Sequence, residues 1–120
     1  GPEVGAIPIA DAVSYASYLH GKEIKSFWVR KKAKGHGLKK WIEGDVKEGD
    51  RVVIVDDVIT TGTSTIDAMR KAREEGLIVV KTMVLVDREE EEGKQNIEQE
   101  GVKVEALFKI SDLMRLHKEG

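Results

Sequence analysis

Asp56 and Asp57 stand side by side at the end of an apolar run, Val52-Val53-Ile54-Val55, and Thr60-Thr61-Gly62-Thr63-Ser64 follows shortly after. Each part suits a different piece of one ligand. A loop of small hydroxyl residues offers backbone N–H groups and hydroxyls, and Gly62 lets a ligand approach the main chain closely. A helix beginning near Ser64 adds unpaired N–H groups and the positive end of its dipole, which favours a phosphate. The two acids cannot hold that phosphate; they suit the hydroxyls of a sugar, or a magnesium ion. The combination points to a phosphorylated sugar, with its phosphate in the loop and its hydroxyls on the acids. Read blandly, the acids end a strand and the loop is an ordinary helix cap. The coincidence of acid pair, hydroxyl loop and helix start argues against that.

A second group of candidates lies upstream. Positions 21–40 hold eight bases (Lys22, Lys25, Arg30, Lys31, Lys32, Lys34, Lys39, Lys40) and one acid, Glu23, in a chain of net charge −2. A local excess of cations on a weakly acidic chain suits a small polyanion better than a nucleic acid. Inside it, His36 lies between Gly35 and Gly37, where an imidazole can give a proton or a hydrogen bond. Lys22, Lys25, Lys39 and Lys40 read as solvated surface. Positions 88–100 carry six acids against two bases, so the simplest reading of Arg88 is a surface ion pair.

Other chemistries are excluded. The chain has no cysteine and three well-separated histidines, which removes disulfides, thiolate metal sites and a structural zinc centre. No Gly-Lys-Ser/Thr ending follows the glycine loop, and no GxGxxG follows a strand, so neither nucleotide fingerprint applies. No apolar run approaches the ~20 residues of a membrane span. No signal peptide is recognisable, so a cytoplasmic protein is expected. With 120 residues, 40% of them hydrophobic and 35% charged, the chain reads as one globular domain, residues 1–120.

The elements that position these residues follow from periodicity. Ile9, Ala12, Val13, Ala16 and Leu19 recur at helical spacing, predicting a helix over 7–20 that buries this stripe and stops at Gly21. A strand is predicted over 24–30, a cationic loop over 31–40 and a returning strand over 41–44. The predicted strand over 51–57 holds a continuous apolar run, Val52 to Val55, as for a strand covered on both faces of a parallel sheet. A helix over 64–75, with Ile66, Met69 and Ala72 inward, ends at Gly76. A second buried strand lies within 77–87, a polar helix over 91–100 and a last strand over 102–110. Ser111 reads as the N-cap of a final helix reaching about 118. Alternating strands and helices predict an α/β fold, a mostly parallel sheet with helices on both faces.

The stretch Val52 to Ser64 resembles the phosphoribosyl-pyrophosphate signature of the type I phosphoribosyltransferases. Val29-Arg30-Lys31-Lys32-Ala33-Lys34-Gly35-His36-Gly37 resembles the mobile catalytic loop of the orotate phosphoribosyltransferase family. Val86-Asp87-Arg88-Glu89 is similar to the segment whose arginine holds the orotate base, and Gly1 to Ala10 resembles the pyrophosphate loop with its helix. The resemblance implies catalytic roles for Lys34, His36, Asp56 and Asp57. It implies phosphoribosyl-pyrophosphate contacts from these and from Arg30, Lys31, Thr60, Thr61, Gly62, Thr63 and Ser64, and orotate contacts from Thr61 and Arg88. Glu3, Val4 and Gly5 would form the pyrophosphate loop.

The implied cofactor is magnesium, carried mainly by the substrate pyrophosphate, with Asp56 and Asp57 as its candidate protein ligands. The implied assembly is a homodimer whose loop residues act in trans. Against the family pattern, a hood segment and a first core strand are missing before Gly1, so an N-terminally truncated form is expected. A fragment, a strand supplied by a partner chain and a truncated, inactive protein all remain open. The alternatives to orotate transfer are a purine phosphoribosyltransferase, and a non-catalytic module of the same fold binding phosphoribosyl pyrophosphate or nucleic acid. Nucleic acid is the less expected partner.

Overall fold

The computed structural model describes residues 1–35 and 41–119. Helix α1 (Ile7–Leu19) leads to a short antiparallel pair, β1 (Phe27–Val29) and β2 (Ile42–Gly44). Then come β3 (Arg51–Ile59), α2 (Thr63–Glu74), β4 (Ile78–Asp87), α3 (Gly93–Glu98), β5 (Val104–Lys109) and α4 (Ile110–Glu119). Strands β3, β4 and β5 form a parallel sheet in that order. A three-stranded parallel sheet joined through helices is the α/β architecture expected from the alternating pattern. No described helix is long and apolar enough to cross a membrane.

The core lies between this sheet and α2. Val52, Ile54, Val79, Val84 and Val104 from the sheet join Ala68, Met69 and Ala72 of α2, Ile97 of α3 and Phe27, Val29 and Ile42 of the β1–β2 pair in one cluster. Burial of such side chains contributes roughly 1.5–3 kcal/mol each and is the main force holding α2 on the sheet. Along β3 and β4 the alternate residues Val53, Ile78, Val80 and Leu85 are exposed. The strand at 51–57 is therefore covered on one face among the described residues, whereas the continuous apolar run Val52 to Val55 predicts two.

Three elements differ from expectation, each for a local reason. Strand β1 starts at Phe27 and not at Ile24. The backbone of Ile24 is already occupied: its N–H donates to Ser17 Oγ at 2.9 Å, and its carbonyl accepts from Ser14 Oγ at 2.6 Å. The same bonds turn the serine side of α1 inward, so the predicted stripe is not its buried face. No α1 residue is buried, and Val13 and Leu19 are 45% and 63% exposed. Finally, α4 begins at Ile110, one residue before Ser111. Ser111 does not cap it; the carboxylate of Glu89 accepts from both Ser111 N (3.1 Å) and Ser111 Oγ (2.5 Å).

Ser17→Ala removes the acceptor that holds Ile24. A loss of about 1 kcal/mol is expected for such a bond, read as a lower urea midpoint at unchanged slope; an unchanged midpoint contradicts the docking described.

Candidate functional site

Strand β3 runs on past the acid pair to Ile59, two residues beyond the predicted end. Asp56 and Asp57 thus sit inside the strand, and a strand sends successive side chains to opposite faces. Asp56 is turned toward α2 and is 6% exposed. Its Oδ2 accepts from Thr65 Oγ1 at 2.9 Å, and its Oδ1 accepts from Asp57 N at 2.8 Å. Asp57 is exposed. Its carboxylate lies against Gly5, where an added Cβ would stand 2.4 Å from Oδ2. One acid therefore faces the loop, and the other faces the segment read as the pyrophosphate loop.

Burial, first of all, pushes the Asp56 carboxyl up to about 6; the neighbouring Asp57 carboxyl adds to this, and the Thr65 hydrogen bond opposes it. Asp57 is held below the usual carboxylate range, chiefly by its hydrogen bond with the Asp56 carboxyl.

The turn between β3 and α2 closes an open cavity of about 500 Å³ lined by Lys31, Asp56, residues 58–65 and Asp67. Gly62 makes this turn possible in two ways. It holds a left-handed φ of 82° at the N-cap of α2, and an added Cβ would stand 2.8 Å from Ile97 Cγ1. Thr61 Oγ1 accepts from Thr63 N at 3.2 Å and meets Thr63 Oγ1 at 2.8 Å. The first turn of α2 carries no acidic residue, so its dipole is left for an incoming anion. The predicted hydroxyl residues Thr60, Thr61, Thr63 and Ser64 all line this cavity with Gly62 and Asp56.

The remaining predicted residues are placed less uniformly. Lys31 lines the cavity, and its N–H donates to Glu3 Oε2 at 3.2 Å, which ties the 3–5 segment to the end of β1. The neighbouring residues Gly1 and Glu3 pair with Val29, through Val29 N to Gly1 O at 2.8 Å and Glu3 N to Val29 O at 3.0 Å. Val4 is exposed. Arg30 and Lys34 are not brought to the cavity. Both reach Glu43 Oε1, at 3.2 and 2.8 Å, and these bonds, Lys34's first, hold Glu43 below the usual carboxylate range. Arg88 is not brought there either: its guanidinium pairs with Glu90 at 3.2 Å, while its N–H donates to Ile59 O at 3.1 Å. His36 lies outside the described residues.

Several supporting residues escape a reading by motif. Asn96 Nδ2 donates to Thr61 O at 2.9 Å and to Glu91 O at 3.2 Å, stitching the hydroxyl loop to the acidic turn. Gly93 lies under the loop, where a Cβ would stand 2.1 Å from Thr60 O. Asp67 reads from sequence as helix surface, yet it borders the cavity and pairs with Lys71 at 2.8 Å. For Asp67 the signal available was spacing alone, since Asp67, Lys71 and Glu75 recur every four residues; Asn96 and Gly93 offered none.

The profile of the phosphoribosyl transferase domain matches residues 1–110. The chain belongs to this family. Among curated relatives, it is 46% identical to the orotate phosphoribosyltransferase of Aquifex aeolicus, over 95% of this chain and 62% of that protein. To the orotate phosphoribosyltransferase of Pyrococcus horikoshii it is 49% identical, over 96% of this chain and 59% of that one. The chain thus spans 62% and 59% of the lengths of these two relatives. Among solved structures, it resembles the orotate phosphoribosyltransferase of Mycobacterium tuberculosis. The complex of that protein with Fe(III) dicitrate gives a TM-score of 0.86 at 37% identity, and its complex with phosphoribosyl pyrophosphate gives 0.82 at 34%; each covers 94% of this chain and 62% of that one. In this chain the stretch 52–64 forms the β3–α2 junction.

The raised Asp56 pKa has a defined consequence for stability. Between about 4 and about 6 the folded state holds a proton that the unfolded chain has released, so this group's contribution falls as pH rises through that window. In Asp56→Asn that fall is absent. The stability difference, wild type minus variant, is expected to shift toward the variant from pH 4 to pH 6 in chemical denaturation. A constant difference contradicts the assignment.

Proposed function

We propose that this chain carries the catalytic core of an orotate phosphoribosyltransferase, transferring the phosphoribosyl group of phosphoribosyl pyrophosphate to orotate. The products would be orotidine 5′-monophosphate and pyrophosphate, a step of pyrimidine synthesis. The observation that carries this reading is the cavity at the β3–α2 junction, where a buried acid, a hydroxyl loop and a helix N-terminus line one space. The names of the relatives at 46% and 49% identity support the choice of base.

Each part has work in this reaction. The 5′-phosphate would sit on the N–H groups and hydroxyls of residues 61–64, and Asp56 and Asp57 would accept from the ribose hydroxyls. As the anomeric bond breaks, negative charge grows on the leaving pyrophosphate, and cations aimed at it stabilise the transition state most. Lys31 is at the cavity; Arg30 would have to leave Glu43 to join it, and Lys34 would leave Glu43 to serve, with His36, the same charge in a neighbouring subunit's site. In the loop formed by Glu3, Val4 and Gly5, the pyrophosphate would meet the main-chain N–H groups of Val4 and Gly5, that of Glu3 being given to Val29 O, and Arg88 and Thr61 would hold the orotate.

Among the described residues no three acids or imidazoles cluster to hold a metal alone. The reading has magnesium arriving on the pyrophosphate, with the oxygens of Asp56 and Asp57 as its protein partners; bound there, it would neutralise phosphate charge. The reading includes a cytoplasmic homodimer in which Lys34 and His36 act in trans.

Orotate consumption, followed by ultraviolet absorbance with phosphoribosyl pyrophosphate and magnesium, tests the proposal. Turnover is expected, with a loss of about a hundredfold in Asp57→Asn and in Lys34→Ala, as for removal of a group that contacts developing charge. Binding of phosphoribosyl pyrophosphate by a folded chain that never consumes orotate or any other base would favour a binding module instead.

A further inference from the structure

Lys71 lies on α2 outside every motif discussed, yet its ammonium is held by several partners. Its side chain is only 12% exposed. Its ammonium meets Asp67 Oδ2 at 2.8 Å, Arg30 O at 3.0 Å and Lys31 O at 3.3 Å. A lysine has three N–H donors, so these acceptors use them all. The same ammonium stands 4.3 Å from the centre of the Trp41 ring, within the range of a cation–π contact. One helical turn on, Glu75 Oε1 accepts from Trp41 N at 2.8 Å, and Trp41 O accepts from Arg30 N at 2.6 Å.

These contacts converge on the backbone at the end of β1. The carbonyl of Lys31 is held by Lys71 and its N–H by Glu3, so its peptide groups are fixed on both sides. Lys31 and Asp67, the neighbours on either side of Lys71, both line the cavity at the β3–α2 junction. Lysine is a long and flexible cation, and the position of its charge is set by how well its main chain is anchored. Glu43 holds Arg30 and Lys34 away, and among the described residues Lys31 is the basic residue that lines the cavity.

We propose that Lys71 is a positioning residue for the phosphate site: it ties the β1 end that carries Lys31 to the helix whose N-terminus closes the same cavity. An ordinary surface lysine would do none of this, and its i,i+4 pair with Asp67 alone would contribute only a few tenths of a kcal/mol. The inference rests on the phosphoribosyl reading only for the ligand used to probe it.

The test uses the full chain with Trp28→Phe, which leaves Trp41 as the single indole. Lys71→Met, Lys71→Gln and Lys71→Arg are compared in that background. Three quantities are read: the Kd for phosphoribosyl pyrophosphate with magnesium, acrylamide quenching of Trp41 without ligand, and the melting temperature. Lys71→Met and Lys71→Gln are expected to weaken binding about tenfold, the scale of lost charge-assisted hydrogen bonds, and to raise Trp41 quenching. Lys71→Arg, which can still donate to both carbonyls and stack on the ring, is expected to recover most of the affinity. A lower melting temperature with an unchanged Kd in Lys71→Gln would reduce Lys71 to a structural residue and overturn the proposal. Wild-type protein that does not bind the ligand would instead overturn the phosphoribosyl reading. In that event, Trp41 quenching equal in all variants would overturn the tie, and increased quenching in Lys71→Gln would uphold it.

Discussion

A carboxylate buried beneath a helix must find hydrogen-bond donors or stay protonated. Asp56 does some of each. Thr65, in the first turn of α2, and the N–H of Asp57 both donate to it, yet burial still lifts its pKa to about 6. The Thr65 bond joins the end of β3 to the start of α2 and so sets where the helix begins relative to the sheet. The loop between them can then close only if Gly62 takes its left-handed conformation and lets Ile97 approach. Gly93 beneath Thr60 and Asn96 on Thr61 hold the outer side of the same turn. The cavity is thus a consequence of how one acid is satisfied.

Around that junction the cations fall into two groups. Lys31 and Lys71 are attached to the α2 side, through the cavity wall and the carbonyls of Arg30 and Lys31 just past β1. Arg30 and Lys34 share the carboxylate of Glu43 on β2. Partly exposed ion pairs of this kind contribute little to stability, so moving them to a polyphosphate would sacrifice little of the fold. The apolar core touches both groups at its edge, where Trp41, beneath the Lys71 ammonium, packs against it and Val29 and Ile42 adjoin Arg30 and Glu43.

Much of this was legible in the residues. Asp56, Asp57 and the run from Thr60 to Ser64 announce themselves, because few other arrangements place acids, hydroxyls and a glycine between a strand and a helix. The parallel strands were readable from their apolar runs. Features set by partners distant in sequence were not. Ile24 looks like a strand residue until Ser14 and Ser17 take its backbone groups. Ser111 looks like a cap until Glu89 supplies the carboxylate. Glu43, Lys71 and Glu75 look like surface charges because their roles depend on the β1–β2 pair folding back on α2. The roles of Arg30, Lys34 and Arg88 came from family resemblance, and here all three are engaged by glutamates.

The central claim is that the β3–α2 turn receives a sugar phosphate. It is tested most directly by titrating ribose 5-phosphate into the isotopically labelled chain and following backbone amide resonances. The account predicts saturable shifts largest at residues 61–65, with smaller ones at Lys31 and Asp57. Shifts confined to the lysine-rich surface, or none at residues 61–65, would contradict it.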